Sequence, residues 1–253
     1  MAEKKVYDCT IVKLDEIATG IFDLWLKNAE MASTALPGQF VNIKCADQVN
    51  TLLRRPISIC DVQDDATRVI FQVKGEGTRA LSKRKSGEVL SVMGPAGRGF
   101  TWEDSYQKCA LIGGGIGTFP LLYLAKKLPK TDAYLGFRNQ SLVVLEEEFK
   151  TAAKELVIAT DDGSYGFDGF AIDALAARVT EYDMIYACGP KPMLKAVQTL
   201  SKESGVPAQL SLEQRMGCGI GACLVCACKV NGHYNHVCKG GPVFKASEVD
   251  LDD

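Results

Sequence analysis

Four cysteines near the C-terminus constrain this chain more than any other feature. Cys218, Cys223, Cys226 and Cys238 read C-x4-C-x2-C-x11-C. The first three have the plant-type spacing of ligands to a 2Fe–2S cluster. Three thiolates from one short loop surround a cluster only if the backbone turns tightly, and Gly217, Gly219 and Gly221 give it access to positive φ. Amide N–H groups of such a loop point at the sulfurs, and Cys238 is free to come from a separate strand. Structural zinc fits less well, because zinc sites usually draw on two C-x2-C-like pairs rather than a triplet plus one. Disulfides are the other alternative. Against them, the start Met1-Ala2-Glu3-Lys4-Lys5 has no apolar signal region, which predicts a reducing, cytoplasmic setting. Cys228 is expected to point away from the cluster. His233 and His236 do not form a Rieske pair and are expected as polar residues around an Asn231-Gly232 turn.

A chain of 253 residues, 47% of them hydrophobic, is long enough for two domains and a small appendage. A net charge of −2 and the lack of a basic stripe exclude nucleic acid as an expected partner. No apolar run approaches the roughly 18 residues that span a bilayer. Ten cysteines without a signal peptide point to metal or redox chemistry. The acidic stretch from Glu248 to Asp253 reads as a solvated end.

Residues 6–93 alternate in the manner of short strands, at Val6–Leu14, Ile21–Leu26, Gln39–Lys44, Ile57–Val62, Val69–Lys74 and Val89–Met93. Six such strands predict an antiparallel barrel or sandwich. Gly94-Pro95-Ala96-Gly97-Arg98-Gly99 reads as a linker. Beyond Lys108 strands alternate with helices: Cys109–Ile112, helix Pro120–Lys127, Ala133–Phe137, helix Glu146–Lys154, Leu156–Ala159, helix Ile172–Arg178, Met184–Ala187, helix Met193–Glu203 and a last strand Ala208–Leu212. That alternation predicts a parallel sheet with crossover helices. From Glu213 the chain turns cysteine- and glycine-rich. The expected units are therefore 1–99, 100–212 and 213–253.

Several motifs carry chemistry. Gly113, Gly114, Gly115, Gly117 and Thr118 follow the first parallel strand and open a helix, where backbone N–H groups favour a phosphate. The alternative is a purely structural strand–helix turn. Asp161 and Asp162 end a later strand, where a carboxylate accepts from a ribose 2′-hydroxyl and repels a 2′-phosphate, favouring NADH over NADPH. Cys188, Gly189 and Pro190 end another, placing Cys188 beside a nicotinamide or, on the plainer reading, as a buried thiol. In the first unit Arg55, Pro56, Ile57 and Ser58 enter a strand, with Arg54 before them. Gly77 and Thr78 lie in Lys74-Gly75-Glu76-Gly77-Thr78, ahead of an expected helix Arg79–Lys83. Together they imply a second cofactor.

These motifs, in this order, resemble the ferredoxin-NADP reductase superfamily. Its R-x-Y-S flavin signature falls on Arg55–Ser58, its nucleotide loop on Gly113–Pro120 and its C-G-P-x-P-M signature on Cys188–Met193. The run from Leu212 to Cys223, with Leu135–Asn139, Ala159–Gly166 and Cys238–Phe244, resembles the electron-transfer subunits of dihydroorotate dehydrogenase B over the whole chain. The resemblance implies a barrel binding FAD, a nucleotide domain binding NAD and a C-terminal 2Fe–2S module. It implies FAD contacts from Arg55–Ser58, Ile70, Phe71, Gln72, Val73, Gly77 and Thr78. It implies a partner, an FMN-containing catalytic subunit that oxidises dihydroorotate, in a heterotetramer of two copies of each chain. The tyrosine that stacks on flavin elsewhere in the superfamily is Ile57 here, so backbone from Phe71 to Val73 is expected to hold the ring. Two other functions stay open at this point. One is a related reductase subunit serving ferredoxin, sulfur or a hydrogenase; the other is a zinc-bearing binding module on an inactive scaffold.

Overall fold

The computed structural model describes residues 5–46, 51–128 and 130–252; Met1 to Lys4 of the expected start and Asp253 of the acidic end lie outside the described residues. The first strands are β1 (Val6–Ala18), β2 (Ile21–Lys27), β3 (Phe40–Ile43), β4 (Arg55–Gln63), β5 (Ala66–Gln72) and β6 (Val89–Ala96). Helices α1 (Ala29–Thr34) and α2 (Glu76–Leu81) join them. The strands close into an antiparallel barrel in the order β1-β2-β5-β4-β3-β6. Its core comes in pairs two residues apart: Cys9 and Ile11, Leu24 and Leu26, Val41 and Ile43, Ile57 and Ile59, Val69 and Phe71, Leu90 and Val92. Successive side chains of a strand face opposite ways, so each pair is one inward stripe. Asn28 caps α1 by accepting from Met31 N at 3.0 Å, which seats Met31 inside.

The second unit runs β7 (Cys109–Gly114), α3 (Phe119–Lys127), β8 (Thr131–Phe137), α4 (Glu146–Ala152), β9 (Glu155–Thr160), β10 (Phe167–Asp168), α5 (Ala171–Ala176), β11 (Met184–Cys188), α6 (Lys191–Ser204) and β12 (Ala208–Ser211). Prolines stand in the first turn of α3 and α6, where a missing N–H leaves no bond unmade. The C-terminal segment adds β13 (Ala227–Val230), β14 (His233–His236), α7 (Val237–Gly240), β15 (Val243–Lys245) and β16 (Val249–Asp250). The seven-stranded sheet has the order β10-β9-β8-β7-β11-β12-β15, parallel except for β15, which runs antiparallel to β12. The chain leaves β7 in one direction through β8 and β9, then returns on its other side at β11. The carboxyl ends of β7 and β11 therefore flank the switch point, where open sheets of this kind form a crevice.

Three expectations need correction. The expected linker Gly94–Gly99 is half strand, because Gly94 to Ala96 continue β6 and Ala96 pairs with Phe40. The strand expected to reach Lys74 stops at Gln72, since Lys74 N and Gly75 N turn to Thr78 Oγ1 at 3.0 and 3.2 Å. That turn also starts α2 at Glu76 rather than at Arg79. The C-terminal segment contributes a strand to the larger sheet, where Val243 to Lys245 pair with Gln209 to Ser211.

The barrel and the parallel sheet are clamped together. Arg68 on β5 holds Asp23 on β2 and Glu148 on α4, and its guanidinium lies over Trp25 at 5.4 Å. Lys126 on α3 pairs with Asp61 on β4, and Tyr123 Oη donates to the Ala35 carbonyl at 3.1 Å.

Candidate functional site

The barrel motifs meet at the start of α2. A Cβ on Gly77 would fall 2.6 Å from Arg55 Nε, so the guanidinium rests where only glycine leaves room. Arg55 is half-buried and Nη1 donates to the Leu53 carbonyl. Arg54, its neighbour, is a structural tie: its guanidinium donates to Ser91 O at 2.7 Å and Ser91 Oγ at 2.8 Å. Pro56, Ile57 and Ser58 lie along β4, opposite Asn42, Val41 and Phe40 of β3. Ile70 and Phe71 turn their side chains into the cores, Phe71 stacking on Phe22 at 5.6 Å, which leaves only their backbone for a ligand.

The two nucleotide motifs pack backbone to backbone at the switch point. A Cβ on Gly114 would lie 2.8 Å from Pro190 Cδ, and one on Gly117 would lie 2.3 Å from the Cys188 carbonyl oxygen. Beside them opens a cleft of about 580 Å³, lined by Gly114, Gly115, Asp161, Gly189 and Pro190 from the sheet and by Ile21, Gln72 and Lys74 from the barrel. Gly113, Gly117 and Thr118 stand behind it as structure; Thr118 Oγ1 donates to Gly115 O at 2.8 Å.

Asp161 and Asp162 part ways. Asp161 lines the cleft, whereas Asp162 accepts from Ser164 N at 3.0 Å and Ser164 Oγ at 2.6 Å, bonds that hold its carboxyl below the usual range. Cys188 is buried at 2% exposure, and burial, reinforced by the Glu213 charge, pushes its thiol up to about 12. It is therefore a neutral thiol behind the cleft.

In the cysteine segment, Cys218 Sγ accepts from the backbone N–H groups of Ala222, Ile220 and Cys223 at 3.3, 3.4 and 3.4 Å. Burial pushes this thiol up, but the N–H groups outweigh it and bring it down to about 6. Gly219 and Gly221 take φ of +69° and +81°, as so tight a loop requires. The β13–β14 hairpin turns through Asn231 (φ +50°) and Gly232 (φ +77°), with His233 exposed. It carries the chain back so that Val237 N donates to the Cys226 carbonyl at 3.0 Å, which sets Cys238 beside that arm. Cys228 lies in the same buried hydrophobic cluster as Cys226 and Cys238, and burial raises its thiol to about 11.

Residues 213–250 match the family described as the iron-sulfur cluster binding domain of dihydroorotate dehydrogenase B. The chain is 43% identical to the dihydroorotate dehydrogenase B (NAD+) electron transfer subunit of Geobacillus sp. (strain WCH70), covering 96% of this chain and 97% of that one. The chain belongs to this family of electron-transfer subunits. Its counterpart from Caldanaerobacter subterraneus is 44% identical over 84% of this chain and 86% of that protein. Among solved structures, one of an NADH-dependent reduced ferredoxin-NADP oxidoreductase, described for flavin-based electron bifurcation, superposes with a TM-score of 0.87. It is 31% identical over 100% of this chain and 92% of that one. A ferredoxin NADP+ reductase from Neisseria gonorrhoeae shares the fold alone, at 13% identity over 80% of this chain and 93% of that one, with a TM-score of 0.67.

The residues of this family member fit the groups its motifs call for. Three N–H donors converging on one sulfur suit a thiolate ligand, and hydrogen bonds to sulfur are how proteins stabilise reduced iron–sulfur groups. In the loops of Gly77 and Gly114, Gly75 and Gly115 have open space where a Cβ would stand, which leaves backbone free where phosphates approach.

Three cleft residues lie within the motif runs of the sequence without being among its expected site residues. Glu213, two residues beyond the β12 strand end, opens onto the cleft; desolvation raises its carboxyl, with Lys74 pulling the other way. Arg138 lines the same cleft after β8, and Met193 packs on Gly114 and Gly189. The signal that finds the first two is positional, since both follow the carboxyl end of a sheet strand.

Proposed function

We propose that this chain carries electrons from the FMN of a separate dihydroorotate-oxidising subunit, by way of a 2Fe–2S cluster and FAD, to NAD+ in pyrimidine biosynthesis. The proposed assembly is a cytoplasmic heterotetramer of two copies of each chain. The proposed units are a FAD-binding barrel at 1–99, a NAD-binding domain at 100–212 and a cluster module at 213–253. Among the described residues no helix is long and apolar enough to cross a membrane.

One arrangement supports this reading above all. The cluster loop rests at Gly219 on Asn42 of β3 and Met93 of β6, while β3 is hydrogen-bonded to β4, which carries Arg55 to Ser58. On the other side, barrel residues Gln72 and Lys74 share a cleft with Gly114 and Pro190 of the nucleotide loops. The barrel thus touches both the cysteine loop and the nucleotide loops, which suits a two-electron to one-electron relay. When bound, a flavin exchanges hydride with nicotinamide and single electrons with iron, which no other common carrier does in both directions.

The chain's own residues have defined tasks in this scheme. Cys218, Cys223, Cys226 and Cys238 ligate iron, and the N–H groups of residues 220, 222 and 223 hold Cys218 as thiolate. Arg55 beside Gly77 neutralises a flavin phosphate. The Gly113–Thr118 loop offers backbone N–H groups to the dinucleotide, and Asp161 accepts from its ribose. Glu213 and Lys74 place an acid and an ammonium in the cleft where nicotinamide and flavin would meet.

An anaerobic absorption spectrum with stepwise NADH tests the reading. Flavin and iron–sulfur bands that both bleach are expected, as is orotate formation from dihydroorotate once the partner is added. A second reading, a reductase serving ferredoxin, is favoured by the full-length likeness to the ferredoxin-NADP oxidoreductase structure. Reduction of ferredoxin, without dihydroorotate-dependent NAD+ reduction alongside the partner, would select it.

A further inference from the structure

Asn42 on β3 is 2% exposed, and its amide nitrogen Nδ2 has no hydrogen-bond partner. It is the one nitrogen among four such buried side-chain atoms in the described residues. Leaving a buried donor unmade costs about 1–3 kcal/mol, so a missing acceptor is the economical explanation.

The surroundings identify that acceptor. Nδ2 faces Gly219, where a Cβ would fall 2.2 Å from it and 3.0 Å from Met93 Cε. Gly219 follows Cys218 directly, and the neighbouring N–H groups of Ile220, Ala222 and Cys223 already aim at Cys218 Sγ. The amide is held from behind. The Asn42 carbonyl accepts from Arg54 Nη1 at 3.3 Å, and Asn42 pairs in register with Pro56 on one side and Met93 on the other. A rigid strand thus presents an unused donor to the loop in which a cysteine sulfur already gathers N–H groups.

We propose that Asn42 Nδ2 donates a hydrogen bond to a sulfur of the iron–sulfur group held by this loop and thereby raises its reduction potential. The inference rests on the cluster reading given above. Reduction makes the cluster more negative, a donor to sulfur stabilises that form more than the oxidised one, and such bonds are established determinants of cluster potential. Because Asn42 lies opposite Pro56 of the flavin motif, the same residue tunes the carrier and links its loop to the flavin strand.

The test is an anaerobic redox titration of the full chain, loaded with FAD and cluster, followed by electron paramagnetic resonance of the reduced cluster. Asn42→Leu removes the donor in similar volume, and Asn42→Asp replaces it with a charge. A bond stronger by about 1 kcal/mol in the reduced than in the oxidised state predicts that Asn42→Leu lowers the ratio of reduced to oxidised cluster about fivefold at a fixed ambient potential. Asn42→Asp lowers it further, and flavin content stays unchanged in both. An unmoved potential in Asn42→Leu overturns the inference. Should neither variant assemble a cluster, wild-type protein labelled with nitrogen-15 only at asparagine side-chain amides decides. Hyperfine coupling of that nitrogen to the reduced cluster supports the bond, and its absence overturns it. Iron and sulfide analysis of the wild type separates the two readings: protein without them defeats the cluster itself, whereas a loaded protein with an unmoved potential defeats only the role of Asn42.

Discussion

Arg68 Nη1 on the barrel donates to Glu148 Oε2 on α4 at 2.6 Å, while its Nε donates to Asp23 Oδ1 at 2.8 Å. One guanidinium therefore joins the flavin-side barrel to the nucleotide-side sheet. Its hydrogen bonds to both carboxylates outweigh its desolvation and raise its pKa. Arg68→Met leaves Asp23, 2% exposed, with only the distant Lys13 ammonium at 4.0 Å as countercharge among the described residues, and is expected to lose about 3 kcal/mol in urea unfolding. Glu148→Gln should lose under about 1 kcal/mol, because that side chain is 36% exposed and the pair is screened. Equal losses would show that the interdomain arm, rather than Asp23, carries the energy.

Cys223→Ser is expected to abolish iron and sulfide binding while leaving flavin bound, because Arg55 and Gly77 lie on the barrel and not in the cysteine loop. Iron, sulfide and flavin assays on one sample check this. Joint loss of both cofactors would contradict separate sites.

Gly117→Ala drives a methyl into the Cys188 carbonyl, with the next backbone atoms at 2.5 and 2.6 Å. Neither side is a flexible side chain, so the loop must shift. A stability loss of about 1–3 kcal/mol and weaker NADH binding, with flavin content unchanged, are expected in thermal unfolding and NADH titration.

Cofactor choice should depend on Asp161 and not on Asp162. Asp161→Arg is expected to shift the NADH-to-NADPH preference by about tenfold or more, equivalent to about 1.4 kcal/mol. Asp162→Ala should leave that preference unchanged, because its carboxylate is spent on Ser164. Steady-state reduction of a dye with each nucleotide reads both variants.

Glu213 gives the chain a pH dependence of defined sign and small size, because its carboxyl is exposed at the cleft mouth. Desolvation raises its folded pKa above the unfolded one, so the folded state binds the proton more tightly. The associated stability is fully present below the ordinary carboxylate range and is lost as pH rises through the folded pKa. Glu213→Gln should therefore match the wild type in acid and exceed it near neutrality. Unfolding series across pH on both proteins check it; a parallel offset at every pH would assign the effect to packing.

Much of this molecule was legible because its signals are local. The inward pairs Leu24 and Leu26 or Val41 and Ile43 follow from a period of two, which any strand imposes. Gly113 to Thr118 announced a strand-to-helix turn through glycines ahead of Pro120. Less legible was Gly94 to Ala96, where turn-forming residues lie within β6 because Ala96 finds Phe40 across the barrel. Whether a glycine-rich stretch becomes linker or strand depends on a partner far away in the sequence.

The amino-acid sequence by itself determined the units and their chemistry: a barrel or sandwich from alternation, a parallel sheet from strand–helix succession, and an iron–sulfur segment from the spacing of Cys218, Cys223 and Cys226. Only the tertiary structure decided which side chains face the cofactor spaces. It turned Asp161 into the cleft and Asp162 away, sank Cys188 behind Gly117, brought Glu213 towards Lys74, and set Asn42 against Gly219. The physical reason is that residue types and spacings act within one segment, whereas the direction of a side chain at a strand end is fixed by register and packing between segments.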